Sequence, residues 1–402
     1  MKKIYVFLLF LFIFPFYVQA LEYPKTNSKI VEIYDLTDNK VLYEINSSKK
    51  SSIASLTKIV TTITAIENIN NLEEKVMITD DILSTVRWDA SIAGLKSGDI
   101  VTYRDLLYAS MLPSGADATN SIAILSSDSV DNFVNKMNEL VKGIGVDNTH
   151  FVNVTGLDDD NHYSTADDIM KILIYSLNNP LFKEIYTTKE YTLSNGLKVS
   201  STLKMYTKYS NLNINKILGS KTGFTINAGY CLSSLSSINK HDILIIVLNA
   251  THENNLYYNI VDTVNLIDFI EKNYNQEILV NKDDLIKVIP VNLSKIDNYE
   301  ILANNNIEKY LPSDYDKNNL RIEYNGLENL SYKNKFGDKI GTINYYYGDE
   351  LIKSEDVILN TKLEISIIKI LIKYYYILVL FLILLIIFIG RKIIIKKDVN
   401  IN

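Results

Sequence analysis

From Tyr374 to Gly390 the chain carries no charged residue, and Arg391, Lys392, Lys396 and Lys397 follow at once. A run of about 17 residues is near the shortest that crosses a bilayer as a helix, and clustered basic residues stay on the cytoplasmic side. The pattern predicts a single-pass cell-membrane protein with a short cytoplasmic tail at residues 391–402 and its body outside. The other end agrees: Lys2 and Lys3, an apolar stretch from Ile4 to Tyr17, then Val18-Gln19-Ala20 read as a secretory signal spanning residues 1–20. Between these ends stands one cysteine, Cys231. An internal disulfide is therefore impossible, and the exported body must be held by core burial alone. With 402 residues, 47% of them hydrophobic, there is chain enough for two domains. A net charge of −6 speaks against a nucleic-acid partner. His150, His162, His241 and His252 are scattered without metal-ligand spacing, so neither a metal nor another cofactor is expected.

Ser28–Tyr34 and Val41–Ile45 alternate apolar and polar residues around Asp38-Asn39-Lys40, which predicts a β-hairpin. Ile53, Leu56, Ile59, Val60, Ile63 and Ile66 recur at helical spacing, with Ser51 or Ser52 as candidate caps. Helices are also expected at residues 103–108, 120–125, 130–141 and 165–177, the first two separated by Leu112-Pro113-Ser114-Gly115. Residues 228–238 and 242–248 read as a strand pair, the second almost wholly apolar, and residues 256–270 as a closing helix. This order implies an α/β fold: one antiparallel sheet covered by helices, with an inserted helical cluster, over residues 21–275. Short alternating runs then suggest a small all-β domain at 276–362. Leu363, Ile367 and Ile370 share one helical face, so residues 363–390 are expected to be an amphipathic lead-in followed by the transmembrane helix.

Two short motifs carry chemistry. In Ser55-Leu56-Thr57-Lys58 the serine and lysine stand three apart, on one helical face, so the amine can reach the hydroxyl. A serine hydroxyl needs a neighbour to take its proton. Burial, a helix N-terminus and a second cation each lower a lysine pKa enough for that. Lys221 could be that cation. In Lys221-Thr222-Gly223-Phe224-Thr225 the glycine lets a substrate lie against a strand edge, while Lys221 and Thr222 can hold a carboxylate. The first motif alone has a bland explanation, a capped and solvated first helical turn.

Together, with Ser114-Gly115 between them and an export signal, they resemble the penicillin-binding proteins and β-lactamases. More closely, the chain resembles the serine-type D-alanyl-D-alanine carboxypeptidases, the low-molecular-weight penicillin-binding proteins of peptidase family S11. Residues 149–157, 162–168 and 219–231 carry the likeness. The resemblance implies a penicillin-binding/β-lactamase-like fold and removal of the terminal D-alanine from peptidoglycan stem peptides, with β-lactams as inhibitors. It implies Ser55 as nucleophile, Lys58 as general base and Ser114 as proton relay. Lys221, Thr222, Gly223, Phe224 and Thr225 would bind substrate, and the backbone N–H groups of Ser55 and Phe224 would form the oxyanion hole.

One departure stands out. The family's second motif reads Ser-x-Asn, whereas here Ala116 occupies the amide position, with Asp117 or Asn120 as candidate substitutes. A β-lactamase shares the nucleophile and lysine, but no counterpart of its deacylating glutamate motif is visible. A non-catalytic β-lactam sensor has only Ala116 in its favour. His150 and His162 are expected in turn or packing roles, and Trp88 and Cys231 in the core.

Overall fold

The structure is a computed structural model describing residues 21–208 and 212–399, without the side chains of 393–399. The expected signal segment and the last tail residues lie outside the described residues. One compact unit ends at Tyr274 and a second begins at Asn275.

In the first unit, β1 (Ile30–Asp35) and β2 (Lys40–Ile45) form the expected hairpin, with Asn39 at φ +53° in its turn. Two ribbons, β3 (Lys75–Met77) with β4 (Ile100–Thr102) and β5 (Glu190–Thr192) with β6 (Lys198–Ser200), were not foreseen. Three residues are too few to display a period of two. The main sheet adds β7 (Ile217–Thr225), β8 (Gly229–Ile238) and β9 (His241–Ala250) in the order β2-β1-β9-β8-β7, every neighbour antiparallel. The apolar run of β9 is explained by its place in the middle, where Ile243 to Leu248 are fully buried. A small ribbon, β10 (His252–Glu253) and β11 (Leu256–Tyr257), turns through Asn254 and Asn255, both at positive φ as a tight hairpin turn requires. It displaces the start of the closing helix from Leu256 to Tyr258.

The helices are α1 (Thr57–Asn68), α2 (Asp80–Ser84), α3 (Tyr103–Met111), α4 (Ala116–Ser127), α5 (Val130–Ile144), α6 (Ala166–Leu177), α7 (Pro180–Thr187), α8 (Thr202–Thr207) and α9 (Tyr258–Asn273). Side-chain caps fix several starts: Thr102 with Asp105 forms a reciprocal capping box on α3, Thr165 accepts from the Asp168 N–H on α6, and Asn179 caps α7 just before Pro180. α1 is the central helix, with every residue from Thr57 to Ala65 buried. Its Leu56, Ile59, Val60 and Ile63 pack in one core with Leu106, Ile122, Phe133, Ile169 and Leu244. Each such side chain contributes roughly 1.5–3 kcal/mol by leaving water. That placement forces Lys58, one position into the helix, out of solvent.

Three expectations fail here. The helix predicted from Ile53 begins as a single 3₁₀ turn, Ala54–Leu56, without a side-chain cap; Ser51 instead makes a β-bridge with Ser164. Trp88 is 95% exposed rather than in the core, whereas Cys231 is fully buried. The third concerns the second unit.

That unit is all-β up to its C-terminal helices. β12 (Tyr274–Val280) pairs β15 (Ile307–Pro312); β13 (Leu285–Asn292) lies between β14 (Asn298–Leu302) and β17 (Leu330–Ser331); and β18 (Lys339–Tyr347) lies between β16 (Leu320–Gly326) and β19 (Glu350–Ile358). Ile289, Ile301, Ile307, Ile343, Tyr345 and Leu359 form its core. Leu363 belongs to that core, 6% exposed, and so is not part of an amphipathic helical face. The lead-in helix is only α10 (Ile367–Lys373), capped by Ser366. α11 (Tyr375–Val399) follows, and its Tyr375–Lys392 stretch is long and apolar enough to cross a membrane.

Candidate active site

Ser55 lies half-buried in the 3₁₀ turn that opens α1. The residue before it, Ala54, adopts φ +48°, a left-handed conformation that is strained for a residue with a Cβ. Lys58 is 2% exposed, and its Nζ donates to Ser55 Oγ at 3.0 Å and to the Thr155 carbonyl at 2.7 Å. Burial pulls the Lys58 pKa down to about 7, against the opposing pull of the Asp117 carboxylate. At neutral pH a large fraction of this amine is thus unprotonated and able to accept a proton. Thr155 comes from the loop after α5, and Thr61 Oγ1 on α1 donates to the neighbouring Val154 carbonyl, which pins that loop against the helix.

β7 is the end strand of the sheet and brings the second motif alongside. A Cβ on Gly223 would lie 2.9 Å from the Ser55 nitrogen, so only glycine lets the strand pass so near Ser55. Lys221 is 1% exposed and its Nζ donates to the Thr222 carbonyl. Burial and, secondarily, the Lys58 charge hold its pKa well below the usual lysine value. Thr222 Oγ1 shares a 2.5 Å hydrogen bond with Thr202 Oγ1 of α8. Phe224 is 49% exposed, and Thr225 Oγ1 donates to Asp158.

Ser114 stands at φ +63° before α4, and its Oγ is buried with no hydrogen-bond partner among the described residues. A hydroxyl left unsatisfied in this way is costly unless something occupies the site beside it. Ala116 is the first residue of α4 and lines a cavity of about 200 Å³ with Asn120, Asn153, Thr155 and Leu157. Asp117 is already engaged, its carboxylate accepting from the backbone N–H groups of Ala93, Gly94 and Leu95. Asn120 Nδ2 donates to Thr85. Both candidate substitutes for the missing amide therefore hold neighbouring loops.

His150 is exposed, its Nδ1 bonded to the Asn161 carbonyl across the following loop, while His162 is buried beneath α1. Sequence reading missed Thr155, Thr202 and Asp158. Thr155 acts through its backbone carbonyl, which leaves no mark in residue type, and the other two are ordinary polar residues far from either motif.

The sequence profile of the D-alanyl-D-alanine carboxypeptidases matches residues 18–252. A D-alanyl-D-alanine carboxypeptidase of Bacillus subtilis is 27% identical, the match covering 79% of this chain and 80% of the relative. A D-alanyl-D-alanine endopeptidase of Escherichia coli is 32% identical over 56% of this chain and 73% of its own. Among solved structures, a peptidoglycan synthesis regulatory factor (PBP3) of Streptococcus pneumoniae superposes with a TM-score of 0.62 at 22% identity, covering 85% of this chain and all (100%) of that one. The Streptomyces K15 DD-transpeptidase gives a TM-score of 0.55 at 28% identity, covering 62% of this chain and 98% of that one.

Proposed function

This chain belongs to the D-alanyl-D-alanine carboxypeptidase family of serine peptidases, and on that premise we propose that Ser55 attacks the peptide carbonyl between the two terminal D-alanines of a peptidoglycan stem peptide. The Ser55 hydroxyl proton passes to neutral Lys58 as the Oγ–carbon bond forms. The developing oxyanion is met by the N–H groups of Ser55 and Phe224, an arrangement worth about 10²–10³ in rate in other serine enzymes. Ser114 relays a proton from the lysine to the departing nitrogen, the C–N bond breaks, and D-alanine leaves. Water, deprotonated by the same lysine, then hydrolyses the Ser55 ester and restores the enzyme.

Lys221 and Thr222 bind the terminal carboxylate. That carboxylate would give Lys221 the counter-charge it lacks among the described residues, where its Nζ meets only a carbonyl. Gly223 and Thr225 keep the strand edge open and in register for the peptide. β-Lactams acylate Ser55 in the same manner. The segment to residue 275 is the peptidase domain, residues 276–362 are a separate β-domain, and the stretch of α11 that is apolar enough to span a bilayer anchors the protein with its catalytic domain outside the cell membrane.

The observation that carries this reading is the 3.0 Å contact between Ser55 Oγ and a lysine whose pKa is drawn to about 7. Incubation with a D-alanyl-D-alanine-terminated peptide should release D-alanine, and labelled penicillin should attach to Ser55. A label mapped to any other residue would overturn the assignment.

A further inference from the structure

His162 stands outside every step just described, yet its two ring nitrogens have assigned partners. The backbone N–H of Val152 donates to Nδ1 at 3.2 Å, so Nδ1 is an acceptor. The one proton of a neutral ring must therefore sit on Nε2, 2.8 Å from Thr57 Oγ1. The Thr57 hydroxyl has a single proton and gives it to the Ala54 carbonyl at 2.9 Å. The hydrogen bonds thus run in one direction: from Nε2–H to Thr57, and from Thr57 to the residue that precedes the nucleophile.

That residue is the strained one, Ala54 at φ +48°. Its carbonyl is gripped from a second side by Gly156, where an added Cβ would come within 2.0 Å of the Ala54 oxygen and 2.8 Å of Thr57 Oγ1. We infer that His162 is a positioning residue for acylation: through Thr57 it holds the Ala54 carbonyl, and with it the left-handed turn that aims the Ser55 hydroxyl and N–H at the substrate. This rests on Ser55 being the nucleophile.

The surroundings keep the ring in that one form. An imidazolium would turn Nδ1–H against the Val152 N–H. Burial takes the His162 pKa down to about 4, against Asp159 and Asp158, with His150 and Lys58 adding to the depression. The edge-on contact with Phe151 completes its packing.

The test uses the full chain and labelled penicillin as the probe. His162→Ala and Thr57→Val should each slow covalent labelling of Ser55 by roughly 10- to 100-fold, the scale expected when a reacting group is misplaced by about an ångström. The half-saturating penicillin concentration should barely move, and Thr57→Ser should restore the rate. The double variant should be no slower than the slower single, because both remove one hydrogen-bond path. In the native protein the ¹⁵N shifts of His162 should report an unprotonated Nδ1 and a protonated Nε2 across pH 5.5–8. If His162→Ala does not fold, Thr57→Val, nearly the same in volume, decides the question. Labelling at the native rate in a folded Thr57→Val protein, additive losses in the double variant, or an Nδ1-protonated ring would each overturn the inference. A native protein that takes no label on Ser55 would instead overturn the acyl-enzyme reading, and this inference with it.

Discussion

The two units treat their buried lysines in opposite ways. In the β-unit, buried Lys309 meets Glu350 at 2.7 Å and buried Glu355 meets Lys353 at 2.8 Å, so each charge has a counter-charge. In the peptidase unit Lys58 and Lys221 lie as deep, but their hydrogen-bond partners among the described residues are a hydroxyl and carbonyls. Glu32 on β1 is also buried, its Oε2 without a hydrogen-bond partner among the described residues, and its pKa rises to about 8 through burial and then the Asp167 and Glu44 charges. Pairing makes a charge structurally inert; leaving it unpaired stores an electrostatic imbalance that a substrate or a proton can relieve. The comparison teaches where chemistry can occur: in the unit that leaves two buried lysines and Glu32 without a counter-charge beside them.

The severest way to break that contrast is to remove an unpaired amine. Lys58→Met should reduce penicillin labelling and D-alanine release by about 10⁴-fold or more, since nucleophile and base act as a unit. Lys309→Met, deleting the paired amine, should leave both rates unchanged. Equal losses would dissolve the distinction.

pH separates the groups next. Because Lys58 must be neutral to accept a proton, kcat/KM for acylation should climb tenfold per pH unit below about 7 and level off above it. A profile already flat at pH 6 would show that the lysine is not the base.

Glu32 probes stability rather than rate. Its folded pKa, about 8, exceeds its ordinary value of 4.5, so the folded state holds the proton more tightly. The contribution is fully present below pH 4.5 and is lost as pH rises through 8, up to ~5 kcal/mol in all. Glu32→Gln should flatten this dependence in urea unfolding between pH 5 and 9. Parallel curves for the two proteins would show that Glu32 does not carry it.

The smallest expected effect concerns Ala116. Asp117 and Asn120 are engaged elsewhere, and the adjoining cavity has room for an amide. Ala116→Asn should therefore speed release of the acyl group by about fivefold, the worth of one hydrogen bond of roughly 1 kcal/mol. Single-turnover kinetics showing no gain would mean that a water already serves.

The sequence made some of this legible and hid the rest for identifiable reasons. The apolar run of β9 and the helical spacing from Leu56 to Ile63 were visible because burial on both sides, or on a broad face, writes itself into residue type. Ser55, Lys58 and Lys221 were visible because the chemistry proposed for them depends on side-chain type within short motifs. Thr155 was invisible because it works through its carbonyl. Trp88 misled because size and apolarity suggest burial, although a loop can leave such a ring in solvent. Leu363 misled because its spacing from Ile367 and Ile370 fits a helix, whereas the β-unit had already claimed it. The 3₁₀ turn at Ala54 packs against Gly156 from a distant loop, and no local pattern encodes it.

The junction around Leu363 has a mechanical consequence. A Gly/Ser-rich tether would let an anchored domain tumble and sample a wide hemisphere above its attachment point. Here Ser294 forms a β-bridge with Ile365, the Ser366 N–H donates to Leu293, and Lys369 reaches the Ser294 carbonyl and Asp297 at 2.6 Å. The β-unit is thus riveted to the start of the terminal helices. With α11 in a bilayer, rotation of that helix would be transmitted to the β-unit as torque, and a load on the β-unit would be borne by these bonds before the membrane segment felt it.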